Sequence, residues 1–445
     1  MSRRIFPLFA AFCFVGGVSF TGAARAAGFA VHEQSAASQG NAYAGAAAGG
    51  GNISSGFFNP ATLTLHPGIN VAGSFSAVFG HANLDVEQAT TASGTPTGGG
   101  DGGNLLHNGY VPAASGSWEF SPDWFFGLAV NAPFGFETEG DEGWSGRYHA
   151  YGSRVRSFEF APQLAWKASD WISFGASFRA MYFDARLSSY IDIGTASGGL
   201  LAAPGDPAAD SLVSVKGDDW AYGYTLGVLL TPQPDTRLGI GYRSMMKINL
   251  TGTADFTLSP QGQILSGLSG ALVDTGARAG VNLPETITIG LEHDLSPKWT
   301  VGAEADWTRW SRFDALVVHF DNPAQPDDVT NEGWKDSWFL SLGATYRMDD
   351  DWTFRAGAAY DEGVIPNASL RGPRIPDSDR YWASTGASYK LSDMTTLNAA
   401  YSHVFAKDAY LSQTTADSAN ATRGNLTGRI DGSADIVSVG MAMTF

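Results

Sequence analysis

Side chains that could catalyse a reaction or hold a metal are scattered through the 445-residue chain. Its eight histidines form no pair with metal-ligand spacing, and neither the G-x-S-x-G of serine hydrolases nor the H-E-x-x-H of zinc proteases occurs. The stretch GGGDGGN at 98–104 lacks a following helical pattern, so it predicts a flexible loop rather than a phosphate-binding loop. We therefore expect no enzyme, no metal site and no cofactor.

The unusual spacing lies elsewhere, in LAVNAPFGFET at 128–138. The residues around it alternate like a β-strand, yet Pro133 stands in the middle and Gly135 follows two residues later. Proline lacks the N–H that a sheet needs and is normally confined to edges, strand starts or bulges. Glycine inside a strand often marks a bulge or kink. The purpose of such a break depends on the sheet that contains it.

The N-terminal 26 residues have the pattern of a secretory signal. Arg3 and Arg4 precede the apolar run LFAAFCFVGGV, and Ala24-Arg25-Ala26 fits the A-x-A cleavage pattern. The alternative, a membrane-spanning helix, needs about 20 apolar residues, and this run is shorter. Cleavage would remove Cys13, the single cysteine, and three arginines, so the formal charge of −17 becomes −20. Such an acidic chain is a poor nucleic-acid binder.

The remaining chain alternates apolar and polar residues. In WISFGASFRAMYF the side chains of Phe174 and Phe178 share one face, while Ser177 and Arg179 share the other; TITIGLEHD, WTVGAEADW and IVSVGMAMTF repeat the pattern. A membrane barrel alternates in this way, with apolar residues toward lipid and polar residues toward the lumen. Its overall hydropathy is unremarkable because each strand is half polar, and the mean hydropathy here is −0.09. A soluble β protein of the periplasm is the alternative.

Turn spacing indicates how many strands there are. Six short turns, four of which end in tryptophan, alternate strictly with seven long polar connections. Barrels of the outer membrane have short periplasmic turns, long external loops and an even number of strands. The pattern predicts an all-β, 14-stranded antiparallel transmembrane barrel over residues 69–445. The short turns are at 121–124, 168–171, 232–236, 296–299, 349–352 and 391–394, and the long connections at 82–108, 137–153, 188–215, 253–282, 319–336, 362–379 and 407–427.

Residues 27–68 precede the first predicted strand. They are rich in Gly, Ala, Ser and Asn, with a few apolar residues such as Phe57, Phe58 and Leu63. A disordered periplasmic tail is one interpretation. The small residues of ASQGNAYAGAAAGG suit packing inside a wide lumen, which must be filled or left as a channel. We therefore expect an N-terminal plug, and a plug argues against a general diffusion porin or an adhesin.

With these elements in place, the sequence resembles the FadL-type outer-membrane transporters of long-chain fatty acids and other hydrophobic compounds. The resemblance covers nearly the whole mature chain. It rests on the AGF start, NISSGFFNPATLTL with its Asn59-Pro60-Ala61, NLPE at 282–285, NEGWKDSW at 331–338, DDWTFRAGAAYD at 350–361 and RIPDSDRYWASTG at 374–386. The set is specific because the motifs occur in order at these spacings.

The resemblance implies a passive transport mechanism in three stages. External loops would capture the ligand in an apolar groove facing the lipopolysaccharide, a tighter pocket would form against the plug, and the ligand would exit sideways through a gap at the kinked third strand. A harmless bulge remains the alternative for the kink, and ordinary loop packing for the groove. The implied residues are Leu200, Leu201, Leu212, Leu265, Leu268 and Leu272 for the groove, Ala27, Gly28, Phe29, Phe57, Phe58, Asn59, Pro60 and Ala61 for the plug and pocket, and Asn131, Pro133, Phe134 and Gly135 for the kink.

One departure bears on the ligand. Fatty-acid members of the family place basic residues in the lumen, where they meet the ligand carboxylate; the matching positions here are the neutral Ser189 and Val317. A buried carboxylate without a cation is costly. Arg179, Arg186 and Arg309 are possible substitutes. Otherwise a neutral aromatic hydrocarbon is favoured, taken up by a monomer that contacts outer-membrane lipid and lipopolysaccharide.

Overall fold

The structure is a computed structural model that describes residues 28–445, so the predicted signal 1–26 and Ala27 lie outside the described residues. Strand segments join end to end into fourteen antiparallel strands. The strands are β1 (Ile69–Thr90), β2 (Gly109–Ser121), β3 (Trp124–Asn131 and Gly135–Glu139), β4 (Gly152–Ser169), β5 (Ile172–Ile191), β6 (Ser211–Gln233), β7 (Thr236–Arg243 and Met246–Thr257), β8 (Thr275–Leu283 and Thr286–Asp294), β9 (Trp299–Thr308 and Ala315–Phe320), β10 (Asp328–Asn331 and Ser337–Arg347), β11 (Trp352–Asp361), β12 (Arg380–Ser392), β13 (Thr395–Ala406 and Ala409–Gln413) and β14 (Asn425–Thr444).

The strands close into a barrel. Each strand pairs with its sequence neighbour, and β1 pairs with β14 from Asn70↔Thr444 to Thr90↔Asn425. Closure leaves neither end of the sheet as a free edge, which a chain in lipid requires because unpaired backbone groups there cannot bind water. The predicted fourteen-stranded barrel is therefore confirmed. No helix within residues 28–445 is long and apolar enough to cross a membrane.

Side chains divide between the two faces of the wall as the alternation predicts. On β5, Phe174 and Phe178 are exposed on the outside, whereas Ser177 and Arg179 are buried on the lumen side. The tryptophans of the four Trp-ending turns, Trp124, Trp171, Trp299 and Trp352, are all exposed. Indole rings at this level suit a membrane–water interface, since they present an apolar body and a polar N–H.

Residues 28–66 fill the lumen with short elements and tight turns. They include the one-turn helix α1 (Ala36–Gln39) and three 3₁₀ segments at Ala46–Ala48, Ile53–Phe57 and Pro60–Leu65. Nearly all of their side chains are buried. Two further helices, α2 (Ile193–Ala196) and α3 (Pro260–Ser269), lie in external connections and contact each other; two further 3₁₀ segments are at Trp310–Arg312 and Ser418–Asn420.

Two features of the strands differ from the expectation. Several strands extend outward into stretches predicted as loops; β1 continues to Thr90 and β8 begins at Thr275. At these ends the alternation is inverted: on β1, Leu84 and Val86 pack inward, whereas Asp85 and Glu87 are exposed on the outside. A search for strands with an apolar outward face therefore does not find them. In addition, β3 is not the only interrupted strand, because six of the fourteen strands are interrupted. The breaks in β9 and β10 turn Trp310, Phe313 and Trp334 inward, where all three are buried.

Wall glycines let the plug touch the barrel backbone. A Cβ at Gly239 of β7 would lie 1.8 Å from the carbonyl oxygen of Ala47, and one at Gly227 of β6 would lie 2.0 Å from Oδ1 of Asn59. Asn59 occupies that contact because its Nδ2 donates to the carbonyls of Ala47, at 2.8 Å, and of Val228, at 2.9 Å. Any larger side chain at these wall positions would collide with plug backbone or with this amide.

Substituting one of these glycines should displace the plug from the wall while the strands of the barrel stay paired. We expect Gly239→Val to raise single-channel conductance in a planar bilayer well above that of the wild type, because the Ala47 segment must move away. Gly280→Val on β8 is the matched control, since a Cβ there meets no atom within 4 Å. Equal, low conductance of both variants would show that the plug tolerates the collision.

Candidate functional site

The break in β3 is bound to the plug. Asn131 pairs with Glu159 and Gly135 with Arg156, so three residues of β3 face two residues of β4. Phe29, Ala30 and Val31 run alongside this break. The N–H of Val31 donates to the carbonyl of Pro133 at 2.9 Å, and the N–H of Gly135 donates to the carbonyl of Phe29 at 3.0 Å. The plug thus supplies backbone partners that the wall lacks here.

A side chain of the plug also binds the break in β3. Gln34 donates from Nε2 to the carbonyl of Ala132 at 3.1 Å, and its Oε1 accepts a hydrogen bond from Nδ2 of Asn131, also at 3.1 Å. Phe134 is held from the other side, where its N–H donates to Oγ of Ser157 at 2.9 Å and its carbonyl accepts from the same hydroxyl at 2.7 Å. The four predicted kink residues are therefore together, and all have defined partners.

Beside the kink, β2 and β3 are not paired. Their ladder ends at Ala114↔Val130, and pairing resumes only beyond β2, at the bridge between Leu106 and Thr138. Within the described residues, no β pairing joins Gly109–Ala113 to the chain between Asn131 and Phe136. Here the β2–β3 interface is closed by contact with the plug segment rather than by a continuous sheet.

Phe29 sits at the centre of a cluster of five aromatic rings. Ring centroids lie 4.9–6.0 Å away, and the partners are Phe134, Phe136, Trp310, Phe313 and Trp334. Such distances suit edge-to-face and tilted aromatic packing. Gly28 is required before it, because its φ is +67° and a Cβ would lie 2.6 Å from the ring of Trp334. Sequence reasoning missed the two tryptophans and Phe313, which the strand breaks bring inward.

Above these rings lies a chamber. Its lining is overwhelmingly apolar; Phe29 and Phe136 line one part, and Leu187, Leu316 and Val318 lie on the surrounding wall. Four charged residues also line it: Lys216, Arg278, Glu332 and Arg374. An apolar chamber with a few polar groups is the usual form of a small-molecule site.

The other predicted plug residues hold the plug rather than line the chamber. Phe57 and Phe58 are buried against each other, with the guanidinium of Arg243 4.0 Å from the Phe57 ring. Pro60 and Ala61 begin the last 3₁₀ segment, where Oδ1 of Asn59 accepts from the N–H of Ala61 at 3.0 Å. Of the predicted pocket residues that the structure describes, only Phe29 lines the chamber.

The predicted groove residues lie in two external connections. Leu200 follows α2 and is 89 % exposed, and Leu268 on α3 is 79 % exposed. Leu265 is half-buried on the same helix, and Leu272 is buried just beyond it. Leu201, in the connection after α2, and Leu212, the second residue of β6, are both half-buried. The three leucines recur at a spacing that predicts one helix, but α3 ends at Ser269, so only Leu265 and Leu268 lie on it.

None of the arginines considered as carboxylate partners lines the chamber. Arg179 is buried in an ion pair with Glu159 at 2.8 Å, and Arg309 pairs with Glu285 at 3.3 Å. Arg186 is exposed and donates to Oγ of Ser214 at 3.0 Å. The neutral positions Ser189 and Val317 are also absent from the chamber lining. Sequence reasoning missed all three cations that do line the chamber, which are Lys216, Arg278 and Arg374.

Glu33 of the plug is buried without any hydrogen-bond partner for its carboxylate oxygens. Burial is the main reason that its pKa is raised from 4.5 to about 7; the His32 imidazole opposes this rise and Asp361 adds to it. The plug therefore docks most readily with this carboxyl protonated.

The closed 14-stranded barrel with a filled lumen defines an outer-membrane transport barrel. Within that class, the chain belongs to the outer membrane protein transport protein family (OMPP1/FadL/TodX), whose family model matches residues 17–445. The protein is accordingly located in the outer membrane. The family comprises transporters and channels for hydrophobic compounds rather than enzymes.

Individual relatives agree with this assignment. The chain is 29% identical over 400 residues to a long-chain fatty acid transport protein of Escherichia coli O6:H1, covering 85% of this chain and 87% of that protein. It is 27% identical to the putative outer membrane protein NMB0088 of Neisseria meningitidis, covering 95% and 96%. A crystal structure of a Pseudomonas aeruginosa FadL homologue has a TM-score of 0.88 at 25% identity, covering 94% of this chain and all of that one. The Pseudomonas putida toluene transporter TodX shares the fold, with a TM-score of 0.67 at 20% identity, covering 94% and 99%.

Titration of Glu33 should make plug docking depend on pH. Between pH 4.5 and about 7 the undocked carboxyl ionises while the docked one stays protonated, so docking weakens as pH rises and levels off above pH 7. The difference amounts to about 3 kcal/mol. We expect hydrogen-exchange protection of the Val31 amide, corrected for intrinsic rate, to fall across this range. Glu33→Gln should abolish the fall, and Glu87→Gln, at an exposed carboxylate of β1, should keep it.

Proposed function

We propose that the protein takes up long-chain fatty acids or other hydrophobic molecules by diffusion across the outer membrane and delivers them sideways into its lipid. The observation that carries the proposal is the position of Phe29. Its ring lies under the apolar chamber, while its own backbone is hydrogen-bonded to the break in β3. One segment of the plug therefore adjoins both the ligand chamber and the unpaired place in the wall.

Capture would begin at the groove between the α2 and α3 connections. Leu200 and Leu268 present large exposed apolar side chains on the external side, and Ile264, on the same helix as Leu268, is 53 % exposed. Apolar surface there offers a hydrophobic molecule a resting place beside the polar lipopolysaccharide. We propose that a single copy of the chain suffices for this step and for the later ones.

Lateral exit follows from the cost of the alternative route. Release into the periplasm would expose the ligand to water at about 25 cal/mol per Å² of apolar surface. Exit between β2 and β3 leads from one apolar environment to another. Displacement of Phe29–Val31 from the kink would clear the path, and no step needs an energy source.

A neutral aromatic hydrocarbon is the second candidate ligand. The specific observation in its favour is the ring of five aromatic side chains around Phe29, which would contact a small aromatic molecule on several sides. A general diffusion porin is less well supported, because residues 28–66 occupy the lumen.

The exit route can be tested by restoring the regular register of β3. Deletion of Pro133 leaves two residues of β3 opposite two of β4, so the bulge disappears and continuous pairing can extend past Asn131. We expect uptake of labelled oleate and of toluene to fall at least tenfold in cells that lack their own transporter of this type. Pro133→Ala/Gly135→Val should act in the same direction.

The purified deletion variant provides the control. Because the chamber lies above the kink, the affinity of the variant for ligand should stay within a few fold of the wild type. Its unheated sample should migrate on gels as a folded barrel. Undiminished uptake of either compound by the deletion variant would refute lateral exit.

A further inference from the structure

The outward face of β4, β5 and β6 changes character toward the external end of the barrel. Over most of its height this face is apolar; it presents Phe174 and Phe178 on β5 and Tyr222 and Trp220 on β6, all of them exposed. Beyond Tyr182 of β5 the outward residues are charged, and four of the six side chains are cationic. They are Arg154 and Arg156 on β4, Asp184 and Arg186 on β5, and Lys216 and Asp218 on β6.

Strand pairing places three of these cations in one row. Arg154 lies directly opposite Arg186, and Arg186 lies directly opposite Lys216. We call these three residues the cationic row. Like charges that face each other across a sheet repel and destabilise it. An anion bound at the row would offset that repulsion.

Arg186, in the middle of the row, has the fewest partners. Its Nε donates to Oγ of Ser214 at 3.0 Å. Within residues 28–445 it forms no ion pair, and neither of its Nη groups has a protein partner there. The side chain is exposed, so these donors are accessible from outside the wall. A guanidinium presents its donors in a fork that fits a phosphate with two parallel hydrogen bonds.

The other two cations are only partly neutralised. Arg154 shares the carboxylate of Asp184 with Arg156 and lies farther from it, at 3.6 Å against 2.8 Å. Lys216 borders the chamber, but its ammonium pairs with Asp255 of β7 at 2.9 Å, and both side chains are about half exposed. Exposed ion pairs of this kind are weak. The row therefore keeps an excess of positive charge on the outside of the barrel.

The height of the row in the membrane selects the anion. Trp171 lies at the periplasmic end of β5 and Tyr182 begins the charged end. A strand that rises ~3.3 Å per residue at a tilt of about 40° climbs ~28 Å between them, close to the ~25 Å apolar band of such barrels. By the same geometry Arg186 lies roughly 10 Å farther out. The row is therefore level with the head groups of the outer leaflet.

The same level of the wall is acidic on β1 and β14. The exposed outward residues there include Asp85, Glu87 and Asp431, and Arg429 is paired with Asp408. A phosphorylated head group would be repelled by this sector of the wall and attracted by the cationic row. The charge pattern thus confines such a head group to one side of the barrel.

We propose that the cationic row is a binding site for a phosphate group of an outer-leaflet lipid. In the outer membrane this leaflet consists of lipopolysaccharide, whose lipid A part carries phosphates on a sugar head group above several acyl chains. The guanidinium groups of Arg154 and Arg186 would donate to the phosphate, while the acyl chains lie along the exposed rings of Phe174 and Phe178. The site goes beyond the proposed function, because it holds a resident lipid outside the wall rather than a transported molecule in the lumen.

The test compares two lipids that differ only in phosphate. Radiolabelled lipid A, and the same lipid A from which the phosphates have been removed, are bound to the purified full-length mature protein in detergent micelles. We expect the wild type to bind the phosphorylated lipid at least tenfold more tightly. Arg154→Gln/Arg186→Gln should abolish this preference. Arg154→Lys/Arg186→Lys should retain part of it, since it keeps the charge and loses the fork of donors.

Arg429→Gln is the matched control, because it removes an exposed arginine at the same level of the wall that is already paired. It should keep the full preference, and unheated samples of all variants should migrate on gels as folded barrels. Equal binding of the two lipids by the wild type, or an undiminished preference in the double glutamine variant, would overturn the proposal. An equal loss of both lipids in that variant would mean a structural role and overturn it as well. Displacement of lipid A by an equal concentration of inorganic phosphate would indicate a site for the free anion and contradict a lipid site.

Discussion

Backbone hydrogen bonding in lipid is the constraint on which the structure depends. A membrane barrel must pair every strand, because the hydrocarbon offers no partner to a free N–H or carbonyl. This barrel breaks the rule between β2 and β3, where the carbonyl of Pro133 and the N–H of Gly135 point away from the wall ladder. Both groups are bound by the plug instead. The plug is thus a functional part of the wall as well as a filling for the lumen.

For the plug to complete the wall in this way, the rest of the plug must be held close to the barrel. Gly227 and Gly239 permit direct contact between wall and plug backbone, and Asn59 bridges the two with three hydrogen bonds. These contacts lie in the body of the plug, beyond its Phe29–Gln34 segment. In the proposed mechanism the body of the plug would stay anchored while the short segment at the kink moves.

Much of the barrel is predictable from the sequence, and the reasons are local. Alternation identifies strands such as β5 because lipid and lumen impose opposite requirements on successive residues. The outer ends of β1 and β8 escape detection because their outward faces are polar and their inward faces apolar, the reverse of the pattern in lipid. The chamber is harder still. Leu316 and Val318 line it while Val317 does not, so an alignment error of one residue assigns the wrong face. Trp334 and Arg374 reach the chamber through a strand break and a folded-in connection, which no short-range pattern encodes.

The position of Phe29 links ligand binding to the wall in thermodynamic terms. A ligand that fills the chamber competes with the rings around Phe29 for the same apolar contacts. If the ligand binds better when Phe29 is displaced, its binding weakens the docking of the Phe29–Val31 segment, which makes two hydrogen bonds to β3. The gain in ligand binding and the loss in docking have the same free energy. Displacing the segment also removes the Phe29 ring from its five aromatic neighbours, so the ligand must replace those contacts to shift the balance. Because the bonds to Pro133 and Gly135 also complete the wall, the proposed lateral exit would make occupancy of the chamber and opening of the β2–β3 interface a single equilibrium.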